Sequence, residues 1–159
     1  MDSSKELIII TGVSGAGKSS AMAFMEDAGY YCIDNMPPEL MSTFVSLLAN
    51  NSEYYPKVAM VVDIRSGYVF EKIIASIDSV EQYGYTCKIV YLDINDTEAL
   101  KRYKLTRRKH PFADKFNGNI QNALDYEREI LAPLIHQALI HTSFVQGLQN
   151  FLWGMPRSI

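Results

Sequence analysis

The sequence predicts an α/β fold in which a parallel β-sheet is flanked by helices. Short apolar runs alternate with helical patterns along the chain, which is the order of elements that builds such a sheet. The 159 residues carry a net charge of −3 and are 48% hydrophobic, values typical of an ordinary globular protein. A chain of this length can bury one core, so we expect a single domain over residues 1–159.

Four short runs are predicted as strands, of which the first is wholly apolar and β-branched and is expected to be buried on both faces, and the third is expected to be buried. These runs are residues 7–10, 30–33, 58–62 and 87–92. The last three are followed directly by Asp34, Asp63 and Asp93. A fifth strand is predicted within residues 139–145. Because the carboxyl ends of parallel strands meet at one edge of the sheet, a ligand site is expected at that edge.

Helical patterns fill the intervals between these strands, with apolar residues recurring three or four positions apart. The predicted helices run from about Gly17 to Ala28, from Pro37 to the break at Asn50 and Asn51, from Val69 to near Gly84, from Thr97 to Tyr103 and from near Gly118 to Leu139. Pro133 lies inside the last of them and is expected to kink it or split it in two. Pro111 interrupts the preceding stretch, so residues 105–115 are predicted as a loop.

Composition and spacing disfavour several classes of protein. No apolar stretch approaches the roughly 18 to 20 residues that a membrane span needs, and the polar start of the chain is unlike a secretory signal. Cys32 and Cys87 form no Cys-x-x-Cys pair, and His110, His136 and His141 lack the spacing of metal ligands. We therefore expect no membrane segment, no zinc site, and free thiols in a reducing cytoplasm.

A glycine-rich motif follows the first strand and opens the first helix. Its residues, Gly12-Val13-Ser14-Gly15-Ala16-Gly17-Lys18-Ser19, match the phosphate-loop pattern in full. The glycines let successive N–H groups turn toward one point, and the helix start adds a positive dipole end. Lys18 is expected to reach the β- and γ-phosphates, and the Ser19 hydroxyl is expected to ligate Mg²⁺. The sequence therefore predicts a P-loop NTPase of kinase-like type, with a nucleoside triphosphate bound along residues 12–20, Ser20 included.

An aspartate that supports the magnesium, usually through water, is expected in such a site. Asp63 closes the apolar run 58–62 and is the preferred candidate for a metal-supporting and catalytic role beside Lys18. Asp93 closes a similar run and is the rival. Asp63 is preferred because Asp93 is then left to cap the helix that follows it.

The basic residues of the chain are concentrated in one place. Six of the 15 Lys and Arg residues lie in the nine-residue window from Lys101 to Lys109, which contains no acid, so the rest of the chain holds nine basic and 18 acidic residues. Kinase-like P-loop proteins close a lid over the triphosphate, so residues 105–115 are interpreted as a lid with Arg107 and Arg108 as its catalytic arginines. Two alternatives stay open, a solvated cationic face and a patch that contacts an RNA backbone.

The residue after Asp63 and the lack of a guanine-reading motif argue against two classes of P-loop protein. Ile64 follows Asp63 at the position where motor ATPases usually carry a catalytic acid, and no Asn-Lys-x-Asp guanine-reading motif is present. A motor and a switch GTPase are therefore disfavoured.

Asp34 follows the second strand and, with Asn35 and Arg65, is a candidate acceptor or second site in which Asp34 acts as general base. Capping of the next helix by Asp34 is an equally good interpretation.

Several blocks of the sequence resemble the RapZ/YvcJ nucleotide-binding proteins, also called the RNase adapter protein family. The blocks are residues 12–20, 26–30, 34–40, 63–66, 106–111, 127–128 and 142–143. The phosphate loop alone would not select this family, but the Asp-Asn-x-Pro and Arg-Arg-x-His-Pro blocks together are specific for it. The resemblance implies a cytoplasmic bacterial protein that binds ATP or GTP with Mg²⁺ and hydrolyses it slowly. It also implies a small RNA or a ribonuclease as a partner of the full-length protein.

The resemblance implies a second, C-terminal domain of similar size as well, and we expect that domain to be absent from this chain. The family pattern has an acid where Leu105 stands and an aspartate where His141 stands, and both departures argue against full hydrolytic competence. We expect a nucleotide-dependent regulatory module with slow NTPase activity. The oligomeric state stays open, with a homo-oligomer as one alternative. The alternative is a small-molecule or nucleotide kinase that transfers the γ-phosphate to an acceptor near Asp34.

Overall fold

A computed structural model describes residues 4–62, 69–137 and 140–142 of the chain. The strands are β1 (Lys5–Gly12), β2 (Tyr31–Met36), β3 (Lys57–Val62), β4 (Tyr85–Leu92) and β5 (Ile140–Thr142). All neighbouring strands are parallel and lie in the order β2-β3-β1-β4-β5. The predicted parallel sheet is therefore confirmed, and the described part of the predicted fifth strand lies at its edge.

The centre of the sheet is wholly apolar, as the sequence predicts. β1 pairs with β3 on one side and β4 on the other, and Leu7 to Ile10 are fully buried. A strand covered on both faces carries apolar side chains on both, which explains a continuous apolar run in place of an alternating one. β2 continues past the predicted end at Ile33 as far as Met36, with a shift of register between these two residues.

In the described part of the chain, five helices and two 3₁₀ turns connect the strands. The helices are α1 (Lys18–Asp27), α2 (Met41–Asn50), α3 (Val69–Gln82), α4 (Asp96–Thr106) and α5 (Ile120–Gln137). Pro38 opens a 3₁₀ turn over Pro38–Leu40 that leads directly into α2. This use of proline at the first helical position agrees with the predicted helix start.

Two boundaries predicted from proline are wrong. α4 continues through Leu105 and Thr106, because Arg107 ends the helix in a left-handed conformation (φ 52°) before Pro111 is reached. A second 3₁₀ turn covers Ala113–Phe116, so the predicted loop 105–115 is shorter at both ends. α5 runs through Pro133 as one helix, so of the two expected outcomes the split is wrong and the kink stays a prediction. Its packing against α3, α4 and β4 stabilises the helix against the loss of one backbone hydrogen bond.

The strand order creates a crevice at the carboxyl edge of the sheet. From β1 the chain leads to β2 and β3 on one side, whereas β4 and β5 lie on the other side. Such a change of direction opens a crevice beyond the carboxyl ends of the strands, and the segment after β1 lies at its mouth. Within the described residues, none of the helices has the length and apolar character that a membrane crossing requires.

Candidate phosphate-binding site

The predicted phosphate loop lies between β1 and α1, in the strand–loop–helix setting that the motif requires. Gly12 ends β1 with φ +148°, and a Cβ atom at this position would lie 2.0 Å from the carbonyl oxygen of Leu92. Only glycine allows the loop to leave β1 so close to β4. Gly15 and Gly17 have φ values of 86° and 100°, so they supply the left-handed turns that aim backbone N–H groups toward one point.

The start of α1 is open to an anion. Gly17 is the N-cap residue and offers no side-chain hydrogen bond to the first turn. Ser19 and Ser20 in that turn are exposed. A helix start without a side-chain cap has N–H groups available to an outside acceptor, and its dipole favours a negative charge. This end of α1 therefore suits a phosphate group.

Lys18 extends back over the loop from the first residue of α1. Its Nζ donates hydrogen bonds to the carbonyl oxygens of Gly12 at 2.8 Å and Val13 at 3.3 Å. Lys18 is half-buried, and its ammonium group lies beside the first residues of the loop. A phosphate in the loop would meet a positive charge already held in place.

A glutamate far along the sequence fixes the first half of the loop. Both carboxylate oxygens of Glu127, on α5, accept from the Ser14 backbone N–H at 3.0 Å, and Oε1 accepts from the Ser14 hydroxyl at 2.7 Å. Burial raises the pKa of the Glu127 carboxyl, but hydrogen bonds from His110 and Ser14 outweigh burial and hold that pKa below its ordinary value. The carboxylate is therefore ionised at neutral pH.

His110 completes this buried cluster. The Nε2 atom lies 2.8 Å from Oε2 of Glu127, and Nδ1 accepts the backbone N–H of Phe112 at 3.1 Å. Because Nδ1 accepts, the ring proton is assigned to Nε2, which donates to the carboxylate. The neutral imidazole therefore satisfies both neighbours. The ring of Tyr103 lies beside it, with centroids 5.4 Å apart, and burial followed by the charge of Glu127 raises the pKa of Tyr103 to about 12.

The basic window reaches the phosphate loop through a residue that the sequence did not single out. Arg102 donates from Nη1 to the carbonyl oxygen of Gly15 at 2.7 Å and from Nε to Glu98 at 3.3 Å. Arg107 and Arg108, the predicted lid arginines, are exposed. Within the described residues no hydrogen bond joins either of them to the loop, so their catalytic role stays a prediction.

The expected cap at the start of α4 is wrong, and this bears on the choice of metal-supporting aspartate. Asn95 caps the helix, accepting from the Glu98 N–H at 2.8 Å. Asp93 instead accepts from its neighbour, the Ile94 N–H, at 2.8 Å and from Arg128 at 3.4 Å. Asp63, the preferred candidate, lies outside the described residues, as does Arg65. The preference for Asp63 therefore stays a prediction.

Asp34 and Asn35 lie at the carboxyl end of β2, the edge strand beyond β3. Both residues are exposed, and Asn35 has a left-handed backbone with φ 58°. Asp34 accepts from the Asn35 N–H at 2.8 Å. The following 3₁₀ turn begins after Pro37 without a side-chain cap, so Asp34 does not cap it. Its role as an acceptor-site residue stays a prediction.

The fold and the loop together define the class, which is the P-loop NTPase type. The structure superposes on a gluconokinase from Sinorhizobium meliloti with a TM-score of 0.53 at 14% identity, covering 94% of this chain and 95% of the other. A shikimate kinase from Bacteroides thetaiotaomicron gives a TM-score of 0.50 at 17% identity, covering 93% and 98%. At such low identity these likenesses show the fold alone.

Sequence similarity defines the family more closely. The chain belongs to the RapZ-like N-terminal domain family, whose pattern matches residues 5–148. A nucleotide-binding protein of Alkaliphilus oremlandii is 42% identical over 146 residues, which cover 91% of this chain and 50% of that protein. One from Finegoldia magna is 43% identical over 140 residues, covering 87% and 48%. The chain thus spans about half the length of the curated relatives it matches.

Proposed function

We propose that this chain binds a nucleoside triphosphate, ATP or GTP, with Mg²⁺ along residues 12–20 and hydrolyses it slowly. The observation that carries the proposal is the phosphate loop itself. Three glycines turn the backbone, α1 begins without a side-chain cap, and the Lys18 ammonium lies over the first carbonyl groups of the loop. Each of these features favours a bound polyphosphate.

Each residue of the proposed site has a role that follows from its chemistry. The N–H groups of the loop and the Lys18 ammonium hold the phosphates, and the exposed hydroxyl of Ser19 is the described ligand that suits Mg²⁺. The chemistry that a metal ion held there would supply is neutralisation of charge on the phosphates. Arg107 and Arg108 are placed on an exposed loop next to α4 and, as proposed lid residues, reach the triphosphate only after that loop moves.

The role within a larger protein is also a proposal. Because the relatives it matches are about twice as long, we propose that this domain is the nucleotide-binding module of an RNase-adapter-like regulatory protein in the cytoplasm. A small RNA or a ribonuclease is the proposed partner of such a full-length protein, and a homo-oligomer is its proposed assembly.

A second candidate function is phosphoryl transfer to a small-molecule or nucleotide acceptor. The left-handed Asn35 beside an exposed Asp34 favours it, because strained backbone at the carboxyl edge of a parallel sheet is typical of ligand sites. Incubation with labelled ATP and a panel of nucleosides, sugars and their phosphates separates the two functions. Rapid transfer to an acceptor supports a kinase, whereas slow release of free phosphate alone supports the regulatory module.

The binding proposal is tested by calorimetry with Mg–ATP and Mg–GTP. Lys18→Ala removes the ammonium from the loop and is expected to abolish measurable binding. Lys57→Ala is the matched control, since Lys57 is also half-buried but lies at the opposite, amino end of β3. Equal affinity of Lys18→Ala and the control for either nucleotide would contradict the proposed site.

A further inference from the structure

A buried cluster joins the phosphate loop to the basic loop, which we define as residues 107–112. Glu127 and His110 are 5% and 1% exposed, although all the other residues from Lys104 to Pro111 are exposed. His110 is thus the one side chain of that stretch that enters the protein. A buried histidine within a basic, solvated segment anchors the segment to whatever the imidazole contacts, which here is the glutamate that holds Ser14.

The hydrogen bonds of this cluster demand a carboxylate at position 127. Three donors point at it, namely the N–H and the hydroxyl of Ser14 and the Nε2–H of His110. An ionised carboxylate only accepts, so it can satisfy all three donors. An amide of the same shape would turn its own NH₂ group toward one of them. The cluster therefore depends on the chemistry of the glutamate as well as on its size.

The histidine is equally constrained on its other side. Nδ1 accepts the Phe112 N–H, and the His110 carbonyl oxygen accepts the Ala113 N–H at 2.9 Å. The described titratable groups that face the ring are Glu127 from α5 and Tyr103 from α4. The ring can therefore not move relative to Glu127 without disturbing the turn that ends the basic loop.

We propose that Glu127 and His110 are positioning residues that hold Ser14 in the binding-ready loop and couple nucleotide occupancy to the order of the basic loop. This inference rests on the proposed nucleotide binding. A phosphate bound in the loop would accept from the loop N–H groups, and Ser14, one of the loop residues, is tied through the Glu127 carboxylate to His110. Arg102, bonded to the Gly15 carbonyl, gives the same helix–loop unit a second connection. The nucleotide and the basic loop thus respond to each other.

Glu127→Gln tests the coupling, with Glu129→Gln as the matched control on an exposed position of the same helix. Three quantities are measured: the exchange rate of the Ser14 amide in nucleotide-free protein, the affinity for Mg–ATP and Mg–GTP, and the rate of tryptic cleavage after Arg107 and Arg108 with and without saturating nucleotide. In Glu127→Gln we expect about tenfold faster Ser14 exchange and about tenfold weaker binding, the size of effect typical of losing a charge-assisted hydrogen bond. Saturating nucleotide should alter cleavage of the wild type and the control but not of Glu127→Gln.

The outcomes separate this inference from the proposed function. Ser14 exchange in Glu127→Gln equal to that of the control would overturn the positioning role, whether or not nucleotide binds. A basic loop whose cleavage responds to saturating nucleotide in Glu127→Gln as it does in the wild type would overturn the coupling. Failure of the wild type to bind either nucleotide would overturn the proposed function and the coupling with it, but Ser14 exchange would still decide the positioning role.

A second variant keeps the test decisive if Glu127→Gln does not fold. His110→Gln retains an N–H donor near the position of Nε2 but has no acceptor atom at the position of Nδ1, where the Phe112 N–H is bound. We expect it to keep slow Ser14 exchange and wild-type affinity within about threefold, because the bond to Glu127 remains. In His110→Gln the rate of tryptic cleavage after Arg107 and Arg108 should no longer change when nucleotide is added. A response equal to that of the wild type would overturn the coupling.

Discussion

Gly12→Ala is the substitution that the geometry of the site makes most costly. The added Cβ would lie 2.0 Å from the Leu92 carbonyl oxygen, and contacts below 3.0 Å essentially never occur, so β4 and the loop must separate by at least about 1 Å. That carbonyl also accepts the Val13 N–H at 3.2 Å, which restricts its movement. The strained backbone alone costs about 1–3 kcal/mol. We expect a total loss of unfolding free energy of at least about 3 kcal/mol.

The assay compares Gly12→Ala with Gly29→Ala in urea unfolding followed by circular dichroism. Gly29 also has a positive φ (87°), but a Cβ there meets no atom within 4 Å, so its replacement reports backbone strain without a clash. We expect Gly29→Ala to cost about 1–2 kcal/mol and to leave nucleotide affinity unchanged. A Gly12→Ala protein as stable as Gly29→Ala would refute the close approach of β1 and β4 at the loop.

Three further expectations concern titration and packing. The pKa of Glu127 is lowered from 4.5, so its stabilising effect is complete above about pH 4.5 and is lost as the pH falls through the lower folded-state pKa. The unfolding free energy of Glu127→Gln should therefore fall less steeply than that of the wild type as the pH is lowered from 4.5. Burial, the main cause, raises the pKa of Cys32 to about 11 and of Cys87 to about 12. Both thiols should thus react with iodoacetamide at pH 8 at least about tenfold more slowly than in urea, and the stability that depends on the neutral thiols should fall as the pH rises from about 9. Arg128 bonds Asp96 and the Ile94 carbonyl, so Arg128→Ala should lose about 2 kcal/mol in urea unfolding, and an unchanged midpoint would contradict these bonds.

The parts of the fold that follow from local pattern could be predicted from the sequence. The apolar run before Gly12 and the spacing from Gly12 to Ser19 specify a buried strand, a turn and a helix start within one short segment. The predicted strand and loop are confirmed because their causes, burial on both faces and positive φ at glycine, lie in the residues themselves.

The parts that depend on distant partners could not be predicted. Glu127 stands 113 residues from Ser14. Residues 127–128 belong to the blocks that resemble the family, but no local pattern identifies Glu127 as a partner of the loop. Arg107 ends α4 without a glycine, so the helix boundary carried no local signal. Asn95 caps α4 instead of Asp93, and since Asn and Asp cap equally well, residue type alone does not decide between them. The partner of Ser14, the end of α4 and the cap of α4 are therefore determined by the folded structure and not by the residue types alone.

The most direct test of the central claim is a titration of ¹⁵N-labelled protein with Mg–ATP and Mg–GTP, followed by amide chemical shifts. If the loop binds a triphosphate, the largest shifts will fall on the amides of residues 13–20, with a smaller response at Arg102 and in the basic loop. Lys18→Ala will abolish these shifts. Unchanged loop amides at saturating nucleotide, or shifts centred on another part of the chain, would contradict nucleotide binding at the phosphate loop.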